Sequence, residues 1–233
     1  ALERGLIETI TNYDVIDWAI QKKKEGKIKY IGFSIHDNYE TLLKILDLYD
    51  WDFAQIQFNY MDLLDQPGEL GYLELKKRNI PIIIMEPLKG GMLAALPEKI
   101  AEPFKALGDS NVKYAFRWLA EKEGIATILS GMSNMAQIIE NIEIFKDIQP
   151  LKEEEHQAIL EVEKRINALQ KVNCTACRYC MPCPFGVRIP NIFRAWNTKS
   201  MNQGSNWISG GNIDYESAEK CTECEACMVH CPQ

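Results

Sequence analysis

The chain has 233 residues, 46% of them hydrophobic, and a formal net charge of −7. That size suits one larger and one smaller globular domain, and the acidic balance argues against a nucleic-acid partner. No apolar run approaches the roughly 20 residues needed to span a bilayer, so no membrane partner is expected.

A helix is expected over residues 13–25, with Val15, Ile16, Trp18, Ala19 and Ile20 on its apolar side and Gly26 as its stop. The run Lys22, Lys23 and Lys24 falls on its solvated face. A β-rich run over 28–35 follows, and Asn38 then caps a helix through Leu42, Leu43, Ile45, Leu46 and Leu48. The next strand is expected over 53–58, a helix over 70–78 and a strand over 80–85. The unbroken Ile82, Ile83 and Ile84 in that last strand predict cover on both faces. After a Gly- and Pro-rich stretch, a helix is expected over 112–122, a strand over 126–129 and a helix over 135–145.

Four successive β–α units imply parallel strands with helices packed outside. An open doubly wound sheet would bind its ligand at a glycine-rich first turn, but the chain has no G-x-G-x-x-G. A barrel places polar residues after several strand ends instead, and such residues do follow the strands: Ser34, His36 and Asp37; Gln57 and Asn59; Glu86 and Lys89; Ser130, Gly131, Ser133 and Asn134. A (β/α)8 barrel needs about 250 residues, so four units make half of one. An open half would expose strand edges and apolar helix faces. The other half is expected from upstream sequence or from a second copy, and the chain is expected to be the later part of a longer protein.

Residues 151–172 read as a connecting helix, with Glu153, Glu154 and Glu155 in the first turn and Ile159, Val162, Ile166 and Leu169 as its stripe. All eight cysteines come after it, in two runs. Cys174, Cys177, Cys180 and Cys183 form C-x2-C-x2-C-x2-C-P, and Cys221, Cys224, Cys227 and Cys231 form C-x2-C-x2-C-x3-C-P. Thiolates packed this closely repel one another without a cation, so the spacing points to metal. The second run matches the bacterial pattern for a [4Fe–4S] cluster; zinc and disulfides are the alternatives. His230 reads as a bystander, because the cysteines already complete the ligand count. Between the runs lie 37 residues, with helices expected at 190–198 and 215–220, which favours a mainly helical domain. Cluster ligands fit a reducing cytoplasm.

The strand ends 30–36, 55–60, 85–91 and 130–134, followed by Ile139, Glu140 and Asn141, resemble the second half of the aldo/keto reductase family. The tail resembles the ferredoxin-type extension of its bacterial and archaeal branch. The implied fold is α/β: the second half of a (β/α)8 TIM barrel, strands 5–8, followed by a small, mainly α-helical ferredoxin-like domain. The implied domains are 1–150, 151–172 and 173–233.

The resemblance implies NADP or NAD lying across the strand ends. Ser34 and Gln55 would hold the carboxamide; Pro87 and Leu88 would pass over the pyrophosphate. Gly131 and Ser133 would form a phosphate turn at a helix N-terminus, and Glu140 and Asn141 would meet the adenine. Gln137 stands where an arginine often grips the 2′-phosphate of NADP, Met85 where an aromatic ring stacks on the nicotinamide, and Ile35 where an asparagine often stands. The ferredoxin likeness implies two [4Fe–4S] clusters, one on Cys174, Cys177, Cys180 and Cys231 and the other on Cys221, Cys224, Cys227 and Cys183. The family's Asp, Tyr, Lys and His tetrad belongs to the first four strands, so no catalytic residue is assigned, and His36 reads as a loop or rim residue.

The expected function is carbonyl reduction of a small substrate. Because a nicotinamide passes two electrons and each cluster accepts one, either the clusters relay electrons with a flavoprotein or other electron-transfer partner, or they are structural or redox-sensing. The alternative is an iron–sulfur electron-transfer or partner-binding module with a non-catalytic barrel scaffold.

Overall fold

The computed structural model describes residues 4–64, 66–169, 171–172, 174, 178, 180–201 and 214–231. In chain order it forms α1 (Arg4–Asn12), α2 (Val15–Lys24), β1 (Gly32–Ile35), α3 (Tyr39–Leu46), β2 (Phe53–Gln57), α4 (Gly68–Lys77), β3 (Ile82–Met85), α5 (Glu98–Leu107), α6 (Asn111–Ala120), β4 (Ile125–Ile128), α7 (Met135–Lys146), α8 (Glu153–Leu169), α9 (Ile189–Met201), α10 (Tyr215–Ala218) and α11 (Ala226–His230).

The strands make one parallel sheet in the order β1-β2-β3-β4. Each strand pairs with the next in sequence, and each parallel pairing needs the helical crossover that joins the two strands. The register aligns Phe33, Ala54 and Ile82 in one row and Ile35, Ile56 and Ile84 in the next, and all six are buried. On the opposite face Ser34 lies beside Gln55, Gln55 beside Ile83, and Gln57 beside Met85; these five are half-buried. The two-residue period of a strand produces this sorting. It corrects the expectation for the isoleucine run: Ile82 and Ile84 are buried, while Ile83 takes the opposite, half-buried face. Helix α4 packs on β2 and β3, and α6 packs on β4 and α7.

The expected numbering of the strands as five to eight does not stand. These are the first four strands of the chain, read as the first half of a (β/α)8 arrangement with the cysteine-rich region following. The physical reason is repetition: every β–α unit of a barrel has the same direction, neighbour order and burial pattern. The element pattern therefore says that four units are consecutive but not which four they are.

Two local differences also have clear causes. The helix expected over 13–25 is α2, Val15–Lys24; it starts two residues later because its N-cap Asp14 takes a left-handed φ of 49°, which separates it from α1. Helix α5 was not expected: it falls in the stretch read only as rich in Gly and Pro, which contains Pro97 and Pro103. Pro97 instead sits at the N-cap, and Pro103 lies inside the helix. Proline lacks the N–H that would reach the carbonyl four residues back. Here that carbonyl, Lys99 O, accepts from Arg165 Nη1 at 2.7 Å.

The chain divides into two compact units. The first comprises 1–94 and 109–156 and contains the sheet; the second comprises 95–108 and 157–233 and contains α5 and the cysteine runs.

Candidate functional site: the strand ends and the cysteine runs

At the C-terminal ends of β1, β2 and β3 a polar network gathers around Asp62, which is 0% exposed. Asp62 Oδ2 accepts from Gln57 Nε2 and from Asn59 Nδ2, both at 2.7 Å, and Oδ1 pairs with the Lys89 ammonium. A carboxylate removed from water needs such charge-assisted donors. Asn59 Oδ1 accepts the backbone N–H groups of Met61 (2.9 Å) and Asp62 (3.1 Å), an Asx turn that shapes the loop after β2. Its Nδ2 also donates to Glu86 O at 2.9 Å, linking that loop to the one after β3. In the β3 loop Glu86 and Lys89 take positive φ values of 55° and 48°. The network runs outward: Gln66 Nε2 donates to Gln57 Oε1 at 3.0 Å, and Gln66 Oε1 meets His36 Nδ1 at 2.9 Å.

Sequence reasoning singled out His36, Gln57, Asn59, Glu86 and Lys89 as strand-end polar residues but missed Asp62 and Gln66. An Asn followed three residues later by an Asp, straight after a strand, was the available signal.

Of the residues expected to contact a nucleotide, the structure sets Ser34 and Gln55 side by side on the half-buried sheet face. Gln55 Nε2 lies 3.4 Å from Met85 Sδ. Pro87 is buried and Leu88 half-buried in the loop after β3. Gly131 and Ser133 are exposed between β4 and α7, whose N-cap Asn134 accepts from Gln137 N at 3.0 Å. Gln137 folds back over this turn. Its Oε1 accepts the Ser133 N–H at 2.8 Å and lies 3.2 Å from Ser133 Oγ. Asn141 Nδ2 donates to Ser130 Oγ at 2.9 Å, and Glu140 is half-buried on α7.

In the second unit, hydrogen bonds hold the segments bearing the two cysteine runs to a common helix. Asn197 of α9 accepts from the N–H groups of Lys171 and Val172, both at 3.0 Å, and returns a bond to Val172 O at 2.8 Å. At the other end of α9, Arg188 N donates to Ser217 Oγ of α10 at 2.8 Å, and the Arg188 guanidinium pairs with Asp214. Cys174, Cys180, Cys183 and Cys227 are half-buried; Cys221, Cys224 and Cys231 are exposed. Cys177 lies outside the described residues. Among the described residues no group of three or more His, Cys, Asp or Glu side chains is arranged to hold a metal ion. The donor set itself is all thiol, spaced by two and three residues, and fits iron–sulfur ligation.

Residues 11–164 match the model of the aldo/keto reductase family. The chain belongs to that family. Residues 173–233 match the 4Fe-4S dicluster domain, which supports iron over zinc or disulfides at the cysteine runs. The aldo/keto reductase match lies at the N-terminal side with the cluster domain after it, so the expectation that only the C-terminal part of such a protein is present is not supported. Among solved structures, the apo form of aldo-keto reductase AKR11C1 from Bacillus halodurans is 18% identical with a TM-score of 0.51, covering 61% of this chain and 53% of that one. Its holo form is 19% identical (TM-score 0.49; 61% and 52% covered). MGS-M4, an aldo-keto reductase from a Medee basin deep-sea metagenome library, is 22% identical (TM-score 0.49; 69% and 57% covered). The apo form carries the likeness, which is one of fold. The chain spans about half the length of these aldo/keto reductases. No curated protein matches it. Among the described residues no helix is long and apolar enough to cross a membrane.

Proposed function

We propose that the chain serves a nicotinamide-dependent oxidoreductase that reduces a small carbonyl compound and carries two [4Fe–4S] clusters. The observation that supports this best is the half-buried sheet face, where Ser34 and Gln55 lie side by side beneath a polar strand-end network within an aldo/keto reductase domain. Their hydroxyl and amide suit the donor and acceptor atoms of a carboxamide. Pro87 and Leu88 would flank the diphosphate, Gly131 and Ser133 would offer backbone N–H groups to a phosphate, and Glu140 and Asn141 would meet the adenine. A bound nicotinamide supplies a hydride, and the clusters supply single electrons. An electron partner such as a flavoprotein would reconcile the two. The eight cysteines would hold the clusters in the two sets given by the ferredoxin pattern, in a cytoplasmic protein. Trp18, Ile139 and Ile142 are exposed along the helices flanking the sheet, and a further barrel half, from sequence outside this chain or from a second copy, would cover them.

A second reading is favoured by Gln137, whose amide oxygen already occupies the Ser133 N–H. On that reading the barrel is a scaffold and the cluster domain alone transfers electrons. Titrating the anaerobic, iron-loaded chain with NADPH and NADH, followed by nucleotide fluorescence, separates the two. Micromolar binding supports the enzyme. Absence of binding with the clusters intact removes it and leaves the electron-transfer module.

A further inference from the structure

The strand-end network has a direction. A carboxylate can only accept hydrogen bonds, so Asp62, paired with Lys89, dictates the orientation of the amide facing it. Gln57 must turn its NH2 group to Asp62, at 2.7 Å, and its oxygen therefore faces Gln66 Nε2 at 3.0 Å. That in turn leaves the Gln66 oxygen toward His36 Nδ1, at 2.9 Å. An amide oxygen has no proton to give, so the proton of this bond sits on Nδ1. The tautomer of a neutral imidazole follows from the bond its other nitrogen makes, so Nε2 keeps its lone pair. His36 is exposed, one residue beyond β1 and two beyond Ser34, and among the described residues only its Nδ1 is hydrogen-bonded.

We propose that the relay from Asp62 through Gln57 and Gln66 holds His36 as the Nδ1–H tautomer, and that His36 Nε2 accepts a hydrogen bond from a substrate hydroxyl, so that the site prefers hydroxylated carbonyl compounds. Gln57 and Gln66 are positioning residues and His36 is the specificity-determining one. The substrate half of this inference rests on the carbonyl-reductase reading; the tautomer half does not. The fold supplies the means: Gln57 ends β2, Gln66 precedes α4, and His36 follows β1, so their alignment needs the paired β1 and β2.

Nitrogen NMR of the full chain with labelled histidine, at pH 8, tests the tautomer. The chain has three histidines, and His36→Gln identifies the signals of position 36 by their loss. The expected wild-type pattern is a protonated Nδ1 and an unprotonated Nε2, and Gln66→Met should shift the population toward Nε2–H. A wild-type Nε2–H pattern overturns the relay. Steady-state reduction of glyceraldehyde and propanal tests the substrate half. His36→Ala should raise KM for glyceraldehyde by about tenfold, the size of one hydrogen bond, and leave KM for propanal and nucleotide affinity within twofold. An equal rise for both aldehydes, or weaker nucleotide binding, overturns the hydroxyl assignment. If the wild-type chain, assembled with its further barrel half, reduces neither aldehyde, the carbonyl-reductase reading falls with the substrate half, while the NMR result still decides the relay.

Discussion

Arg117 shows how much one side chain can hold. It is 6% exposed on α6, and its Nη1 and Nη2 meet the two oxygens of Glu155 at 2.5 and 2.7 Å. Its Nε donates to Gln149 O at 2.8 Å and Nη2 also to Pro150 O at 2.7 Å. The guanidinium holds the Glu155 carboxyl below the usual range; burial opposes this and the Lys152 N–H assists. A carboxylate depressed on folding adds stability that is complete above its unfolded value, about 4.3. That contribution is lost as pH falls through the lower folded value, so acid unfolding should begin below about pH 4 in the wild type. Arg117→Met strands a buried charge and should cost about 3–5 kcal/mol in urea melts, while Arg117→Met with Glu155→Leu should recover much of that loss. Equal losses in single and double variants would show that the pair does not act as a unit. At the proposed nucleotide site, Gln137→Arg removes the oxygen covering the Ser133 N–H and adds a planar phosphate donor. NADPH affinity should rise about tenfold relative to NADH, measured by fluorescence titration.

Gly68 opens α4 and sets the course of the element and of the network loop before it. Its φ is +53°, and a Cβ there would lie 2.3 Å from Leu63 O, the carbonyl that accepts from Glu69 N. Gly68→Ala should therefore destabilise by about 1–3 kcal/mol and speed amide exchange in the Asp62 loop. Unchanged exchange at Met61 and Asp62 would separate the helix start from the site. Caps were more legible than breaks. Asn38 accepts from Thr41 N at 3.0 Å, as its place before an apolar helix foretold. The start of α2 depends on a left-handed φ at Asp14, a conformation aspartate adopts more readily than most residues but which the apolar pattern did not signal. Helix α5 was hidden because proline propensity ignores what a partner can offer, and Arg165 supplies the missing donor.

The two units differ in what should hold them. The first buries a continuous apolar row beneath its sheet, whereas the described part of the second has few large buried side chains around its cysteines. Metal–thiolate bonds of the proposed clusters would then be part of the folding energy. Anaerobically purified chain should be brown and contain about eight iron and eight sulfide per chain, as two cubane clusters require. Removing iron with a chelator should expose residues 171–231 to protease while the sheet-bearing unit stays protected. A chelated tail that keeps its protection would show that side-chain packing suffices.

The sequence by itself determined the ligand chemistry and the parallel β–α pattern. These depend on residue type and on spacing over a few positions. Tertiary structure decided that Asp62, Gln66, Lys89 and His36 form one network, because their partners lie 30 residues apart for His36 and Gln66 and 27 for Lys89 and Asp62. It also decided that the isoleucine run has one covered face rather than two. Local periodicity cannot encode which distant side chains meet; only the paired strands place their ends within hydrogen-bonding reach.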